Sequence, residues 1–114
     1  MSKIVIIGAG AMGSAFAIPC LDNNHDINIL GTHLENDFID QLKANKRLHL
    51  GLNTSIPEGV NLIKFENFDS IMATNVDLIV LGISSKGIEW IADQLSRVYK
   101  NKKLPNLLML TKGL

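Results

Sequence analysis

Ile4-Val5-Ile6-Ile7, followed at once by Gly8-Ala9-Gly10-Ala11-Met12-Gly13, is the stretch that decides the fold. The first four residues form a continuous β-branched run between Lys3 and Gly8. Unbroken rather than alternating apolarity predicts a strand buried on both faces, as in a parallel sheet. The next six match G-x-G-x-x-G, and each glycine has a mechanical reason. Gly8 allows the sharp turn out of the strand. Gly10 lets backbone approach a pyrophosphate with no Cβ in the way. Gly13 lets a helix pack closely on the sheet. The start of that helix offers free N–H groups and the positive end of its dipole. Glycine-rich turns also serve as tight strand-to-helix connections without a ligand, so the flanks must decide. Here a buried strand precedes the loop, and a helix of small and apolar residues runs from Ala11 to about Leu21, with a second strand beyond.

Pro19 lies late in that helix and is expected to bend or shorten its last turn, because it lacks an N–H. Asp22 to His25 reads as a turn and Ile27 to Leu30 as the second strand, ending at Gly31. Phe38, Ile39 and Leu42 repeat at helical spacing within Glu35 to about Lys46. Residues 47–61 look irregular, with Gly51, Pro57 and Gly59. Asn61 to Phe65 reads as a short strand and Phe68 to Thr74 as a short helix. Asp77 to Ile83 is a clear buried strand, and Ile88, Ile91, Ala92 and Leu95 mark one face of the following helix, with Trp90 nearby. Leu107 to Leu110 is expected to be a last buried strand. Strands alternating with helices predict an α/β fold, a Rossmann-like doubly wound and mainly parallel sheet. The second strand is expected on one side of the first and the later strands on the other. That order creates a ligand-binding switch point at the end of the first strand.

The end of the second strand selects between dinucleotides in such folds: an acidic residue there accepts from the ribose 2′-hydroxyl and repels a 2′-phosphate. This strand ends in Gly31-Thr32-His33, with Glu35 slightly late. Thr32 and His33 can donate to a phosphate, although His33 reads equally as an exposed loop histidine. The expected cofactor is NAD or NADP, with NADP slightly favoured. After the strand ending at Ile83, Ser84 and Ser85 are positioned either to hydrogen-bond the ribose or nicotinamide portion or, for Ser85, to cap the next helix. Lys112 follows the last strand in a Thr-Lys-Gly turn. It is placed to reach a substrate oxygen or phosphate, though spacing alone favours a solvated loop lysine.

Composition excludes several classes. The chain has 114 residues, 46% hydrophobic and 19% charged, which suits one packed domain. Eleven basic side chains balance eleven acidic ones. A zero balance gives no support for nucleic-acid or membrane-surface binding. The single cysteine, Cys20, precludes an internal disulfide and a cysteine-based metal cluster, and reads as apolar filler. No metal site is expected. The opening residues fit neither a signal sequence nor a membrane span, so a cytoplasmic protein is expected.

The whole pattern resembles the bacterial type of NAD(P)-dependent glycerol-3-phosphate dehydrogenase, over the N-terminal part of that family's chain. The residues that carry the resemblance are Gly8 to Gly13, Leu30-Gly31-Thr32-His33, Asn45 with Gly51 and Ile56-Pro57-Glu58-Gly59-Val60, Ile83-Ser84-Ser85, and Thr111-Lys112-Gly113-Leu114. The last is the most specific. The resemblance implies that Lys112 binds substrate beside the nicotinamide, that Ala11 and Met12 contact the dinucleotide, and that His33 touches its adenosine end. The expected cofactor contacts are thus Gly8, Ala9, Gly10, Ala11, Met12, Gly13, Thr32, His33, Ser84, Ser85 and Lys112. This chain departs from the family in carrying Ala11 and Met12 for a serine and an aromatic residue. It also carries Leu48-His49-Leu50 for Tyr-Leu-Pro, and Ser84-Ser85 for Pro-Ser.

The implied activity is interconversion of sn-glycerol 3-phosphate and dihydroxyacetone phosphate by hydride transfer, within glycerol-3-phosphate metabolism and phospholipid biosynthesis. The implied partner is a small phosphorylated substrate, with a homodimer in the full-length protein. The family's second catalytic lysine and its phosphate-gripping residues lie in a helical C-terminal domain. The chain stops after the Lys112 turn, so it is expected to be the NAD(P)-binding part, residues 1–114, of a longer two-domain protein, and inactive alone. Two alternatives stay open. A ketopantoate-reductase-like enzyme shares the Gly-Ala-Gly-Ala-Met-Gly opening but tends to have Asn-Gly where this chain has Thr-Lys-Gly. A non-catalytic NAD(P)-sensing Rossmann module is the other.

Overall fold

The computed structural model describes residues 2–110. The run that opens the sequence forms β1 (Lys3–Ile7), the middle strand of a five-stranded parallel sheet. Its neighbours are β2 (Asp26–Leu30) and β6 (Leu78–Leu81), paired so that Ile7 lies between Leu30 and Leu81. Outside them lie β5 (Asn61–Ile63) and β7 (Asn106–Met109), in the order β5-β2-β1-β6-β7. The expected division about β1 holds for β2, β6 and β7. It fails for β5, which adds to the outer edge of β2.

Alternation along β1 explains why the run is apolar throughout. Ile4 and Ile6 enter one core with Ile27, Ile29 and Ala17. Val5 and Ile7 enter the opposite core with Phe68, Ile79, Ile91 and Leu95. The first core is covered by α1 (Ala11–Asp22) and α2 (Asn36–Ala44), the second by α3 (Phe68–Met72) and α4 (Ile88–Val98). A strand with helices on both faces needs no polar side.

The extent or surroundings of other elements differ from expectation. Pro19 does not shorten α1, which runs on to Asp22. Pro19 deprives the Ala15 carbonyl of its helical donor, but both residues are exposed, so water can satisfy that carbonyl. The segment expected to be irregular contains a small antiparallel hairpin, β3 (Leu48–His49) with β4 (Thr54–Ser55). The Phe68–Thr74 helix ends at Met72, and the Asn61–Phe65 strand at Ile63. The last strand is exposed along its whole length rather than buried. It pairs only with β6, so it is an edge, and Leu107, Leu108 and Met109 stay open to solvent among the described residues.

One side chain ties together the two ends of the hairpin. Arg47, itself at φ 62°, donates from Nε to the Ile56 carbonyl at 3.1 Å and from Nη2 to the carbonyls of Pro57 (3.0 Å) and Val60. Burial among these carbonyls pulls the guanidinium below its ordinary pKa, and the charge of Glu58 partly offsets this. Arg47→Met keeps the aliphatic stem and strands the carbonyls. It is expected to cost about 1.5–3 kcal/mol in urea unfolding, the scale of losing charged hydrogen bonds to partly buried acceptors.

Candidate functional site

The carboxyl ends of β1, β2 and β6 open into a cleft of about 650 Å³. It lies at the switch point, where the chain leaves β1 and its neighbours belong to different halves of the sheet. Gly8 and Gly10 form its floor, Thr32, His33 and Glu35 one wall, and Ser84, Lys86 and Trp90 another.

The glycine loop is built as its spacing implies. Gly8 has φ 112°, and a Cβ there would meet the Gly82 carbonyl oxygen at 2.4 Å. Gly13 packs on the loop from the helix side, where a Cβ would lie 2.7 Å from the Gly8 oxygen. Gly10 differs: its φ of −66° and ψ of 175° suit any residue, and a Cβ would have no neighbour within 4 Å. It is the N-cap of α1, no side chain caps that end, and the first turn holds no acidic residue. The first N–H groups of a helix have no intrahelical acceptor. This end of α1 therefore combines free donors, a positive dipole end and open space, the combination a phosphate requires.

Of the residues expected to touch a cofactor, Gly8, Gly10, Thr32, His33 and Ser84 line the cleft. Ala9 is buried beneath it, and Gly13 packs behind. Ala11 and Met12 are exposed in the first turn of α1 and are not part of the cleft wall. Ser85 also lies off the wall, and no side-chain cap forms at the start of α4 or of the short turn of helix before it. The capping role of Ser85 is thus not seen: the turn closes through backbone instead, Gly87 N–H donating to the Ser84 carbonyl at 2.9 Å. Lys112 lies outside the described residues.

Glu35, Lys86 and Trp90 line the wall without having been expected there, and two of them have polar or aromatic contacts that explain their place. Glu35, set aside as too late in the sequence, reaches back into the cleft. A turn closed by the Glu35 N–H on the Thr32 carbonyl (2.9 Å) reverses the chain, and the carboxylate accepts from the Thr32 N–H at 2.9 Å and the Ala9 N–H at 3.1 Å. An acidic group therefore does stand at the end of β2. Trp90 was read only as a neighbour of the α4 core face. Its ring packs 4.3 Å from that of His33 and 5.1 Å from that of Phe65, an aromatic wall suited to a flat heterocycle. The signal for both was distance along the chain, which a turn and a crossover conceal.

The buried side of the loop is equally specific. The Ala9 carbonyl accepts from Ser14 Oγ at 3.1 Å and lies 2.8 Å from His49 Nε2. His49 comes from the hairpin, is buried, and packs edge-on to Phe38 at 5.1 Å. The described residues hold no group of three metal-ligating side chains and no helix long and apolar enough to cross a membrane.

Residues 3–114 match the family described as NAD-dependent glycerol-3-phosphate dehydrogenase N-terminus. An NADP(+)-dependent glycerol-3-phosphate dehydrogenase of Archaeoglobus fulgidus is 30% identical over 97% of this chain and 31% of its own length. A glycerol-3-phosphate dehydrogenase [NAD(P)+] of Fusobacterium nucleatum is 29% identical over 100% of this chain and 32% of its own. The chain thus spans about a third of the length of these relatives. Among solved structures, a D-mandelate dehydrogenase complex with NADH superposes with a TM-score of 0.66 at 24% identity, covering 98% of this chain and 34% of that one. The repressor RSP bound to β-NADH gives 0.58 at 18% identity, covering 99% and 54%. These two show the Rossmann-like fold alone. The family match over nearly the whole chain, on a fold whose loop and cleft agree with it, decides the matter: this chain belongs to the NAD-dependent glycerol-3-phosphate dehydrogenase family, in that family's N-terminal, dinucleotide-binding region.

Proposed function

We propose that this chain is the cofactor-binding part of an oxidoreductase that interconverts sn-glycerol 3-phosphate and dihydroxyacetone phosphate. The observation that carries the reading is the uncapped N-terminus of α1 opening, at Gly10, into the cleft between the ends of β1, β2 and β6. Backbone N–H groups at the start of α1, beside Gly10, Ala11 and Met12, hold the pyrophosphate. Thr32 and His33 face the adenosine end, with the packed His33 and Trp90 rings forming one wall beside the base. Ser84 serves the other ribose or the nicotinamide, with Ser85 beside it. When bound, the dinucleotide supplies the hydride. Lys112, assigned from the Thr-Lys-Gly turn, sets positive charge beside the substrate oxygen that gains or loses a proton.

The cofactor is NAD or NADP. The ground for favouring NADP was the absence of an acid at the end of β2, and Glu35 removes that ground. The substrate is a small phosphorylated molecule, and the proposed setting is cytoplasmic, with dimerisation a property of the full-length protein.

Trp90 is the only tryptophan in the sequence and lines the cleft, so its fluorescence reports binding directly. Titration with NADH is expected to give a saturable change with a dissociation constant on the order of micromolar to sub-millimolar, common for cofactor sites with part of their contacts. No saturable change with either NADH or NADPH would overturn the reading. Addition of dihydroxyacetone phosphate to the NADPH complex of this chain is expected to leave the nicotinamide absorbance unchanged, since phosphate-gripping groups of the family lie elsewhere.

A further inference from the structure

We propose that His49 is a positioning residue for the dinucleotide loop, acting from behind the cleft; the inference rests on the cofactor reading above. Both peptide planes that flank Ala9 are gripped by side chains from separate segments. On the cleft side, the Glu35 carboxylate accepts from the Ala9 N–H. On the buried side, Ser14 Oγ from α1 and His49 Nε2 from the hairpin meet the Ala9 carbonyl at 3.1 and 2.8 Å. Neither Ser14 nor His49 is part of the cleft wall, whereas Gly10 is.

Peptide planarity turns that grip into function. In a trans peptide the carbonyl of one residue and the N–H of the next point in opposite directions across a rigid plane. Every peptide bond described here is trans. Holding the Ala9 carbonyl toward the core therefore aims the Gly10 N–H away from it, to the side where the cleft lies. Gly10 has no side chain to hold its own orientation, and glycine is the residue whose backbone is hardest to fix. The restraint has to come from outside the loop.

His49 is built to provide it. A carbonyl oxygen only accepts, so Nε2 is the ring nitrogen that must carry a proton in this contact. Nδ1 is fully buried and has no hydrogen-bond partner among the described residues. A buried polar atom without a partner opposes folding, so the ring's favourable polar contact is the one its other nitrogen makes. The surroundings fix the ring rather than satisfy it. Phe38 meets it edge-on at an interplanar angle of 78°, and Gly51 leaves room on the other side, where a Cβ would lie 3.1 Å from Cε1. Arg47 ties the hairpin that delivers it to three carbonyls of the 56–60 segment.

The test compares ligands that do and do not use the phosphate donors. Dissociation constants for NADH, ADP and adenosine are measured on the purified chain and on His49→Leu, with thermal melts alongside. The expected result is that NADH and ADP each weaken by about 10-fold while adenosine changes by less than about 2-fold, as for loss of one aimed hydrogen bond to a charged group. His49→Gln, which keeps an N–H of similar reach, is expected to recover most of the loss. A folded His49→Leu with unchanged NADH affinity overturns the proposal, and so does an equal loss for all three ligands, which a merely structural role would give. Long-range proton–nitrogen spectra of the unaltered chain test it without any variant: Nε2 protonated and Nδ1 bare is expected, and the reverse tautomer overturns it. An unaltered chain that binds neither NADH nor ADP takes down the cofactor reading as well, whereas tight binding with an unresponsive His49→Leu removes this inference alone.

Discussion

Gly8→Ala is expected to lower the stability of the chain by about 3–5 kcal/mol, roughly a fifth or more of what a domain of this size has available. Two independent effects act at the same atom. The backbone at Gly8 has φ 112°, which a residue with a Cβ adopts only with strain. The new methyl would also lie 2.4 Å from the Gly82 carbonyl oxygen and 2.9 Å from its carbon. Both obstructing atoms are backbone, and Gly82 cannot retreat: its N–H donates to the Ile7 carbonyl at 2.9 Å, directly after β6. Relief would require parting β1 from β6 in the middle of the sheet. Urea unfolding followed by far-ultraviolet circular dichroism measures the loss. A midpoint within error of the unaltered chain would show that the crossing of β1, α1 and β6 is looser than its packing implies.

The residues that were legible in the sequence are those whose roles depend on near neighbours. The unbroken run Ile4–Ile7 announces a strand covered on both faces, and the two cores that divide its side chains bear this out. The glycine loop is local in the same sense: strand end, turn and helix start lie within six residues. Glu35 was hidden because its role depends on a turn that brings it back to Thr32 and across to Ala9, 26 positions earlier. His49 was hidden more deeply. It lies in a stretch whose glycines and proline suggest only loop, and its partner is 40 positions away on a backbone carbonyl that any sequence would supply. Nothing about the string Leu48-His49-Leu50 says which of the three faces inward. For β7 the composition was read correctly and the surroundings were not. Asn106–Met109 has the apolar content of a buried strand, but burial depends on a neighbour that the residues themselves do not name.

The cleft therefore has two kinds of residue. Those on the wall, such as Thr32, His33 and Trp90, present surfaces to a ligand. Those gripping Ala9 fix the floor and are held by elements far apart in sequence. Changes to the first kind alter what is bound, and changes to the second alter how well the floor is aimed.

Gly10→Val separates fold from function most cleanly, with binding of NADH expected to fall by about 100-fold, or ~2.7 kcal/mol, while stability stays within about 1 kcal/mol. The structure makes no demand for glycine at this position. Its φ and ψ are ordinary extended values, and a Cβ would have nothing within 4 Å. At an N-cap, serine or aspartate would stabilise α1 by capping the first N–H groups, so glycine forgoes a helix-capping contribution of roughly a few tenths of a kcal/mol. Fold stability alone gives no reason to keep it. The reason has to lie in the cleft that Gly10 lines, where a branched side chain would fill the space a pyrophosphate needs against the start of α1. Thermal melts and Trp90 fluorescence titrations on the same sample decide between outcomes. A stable Gly10→Val that still binds NADH as the unaltered chain does would mean that the phosphates approach elsewhere, and the assignment of the α1 terminus would fall with it.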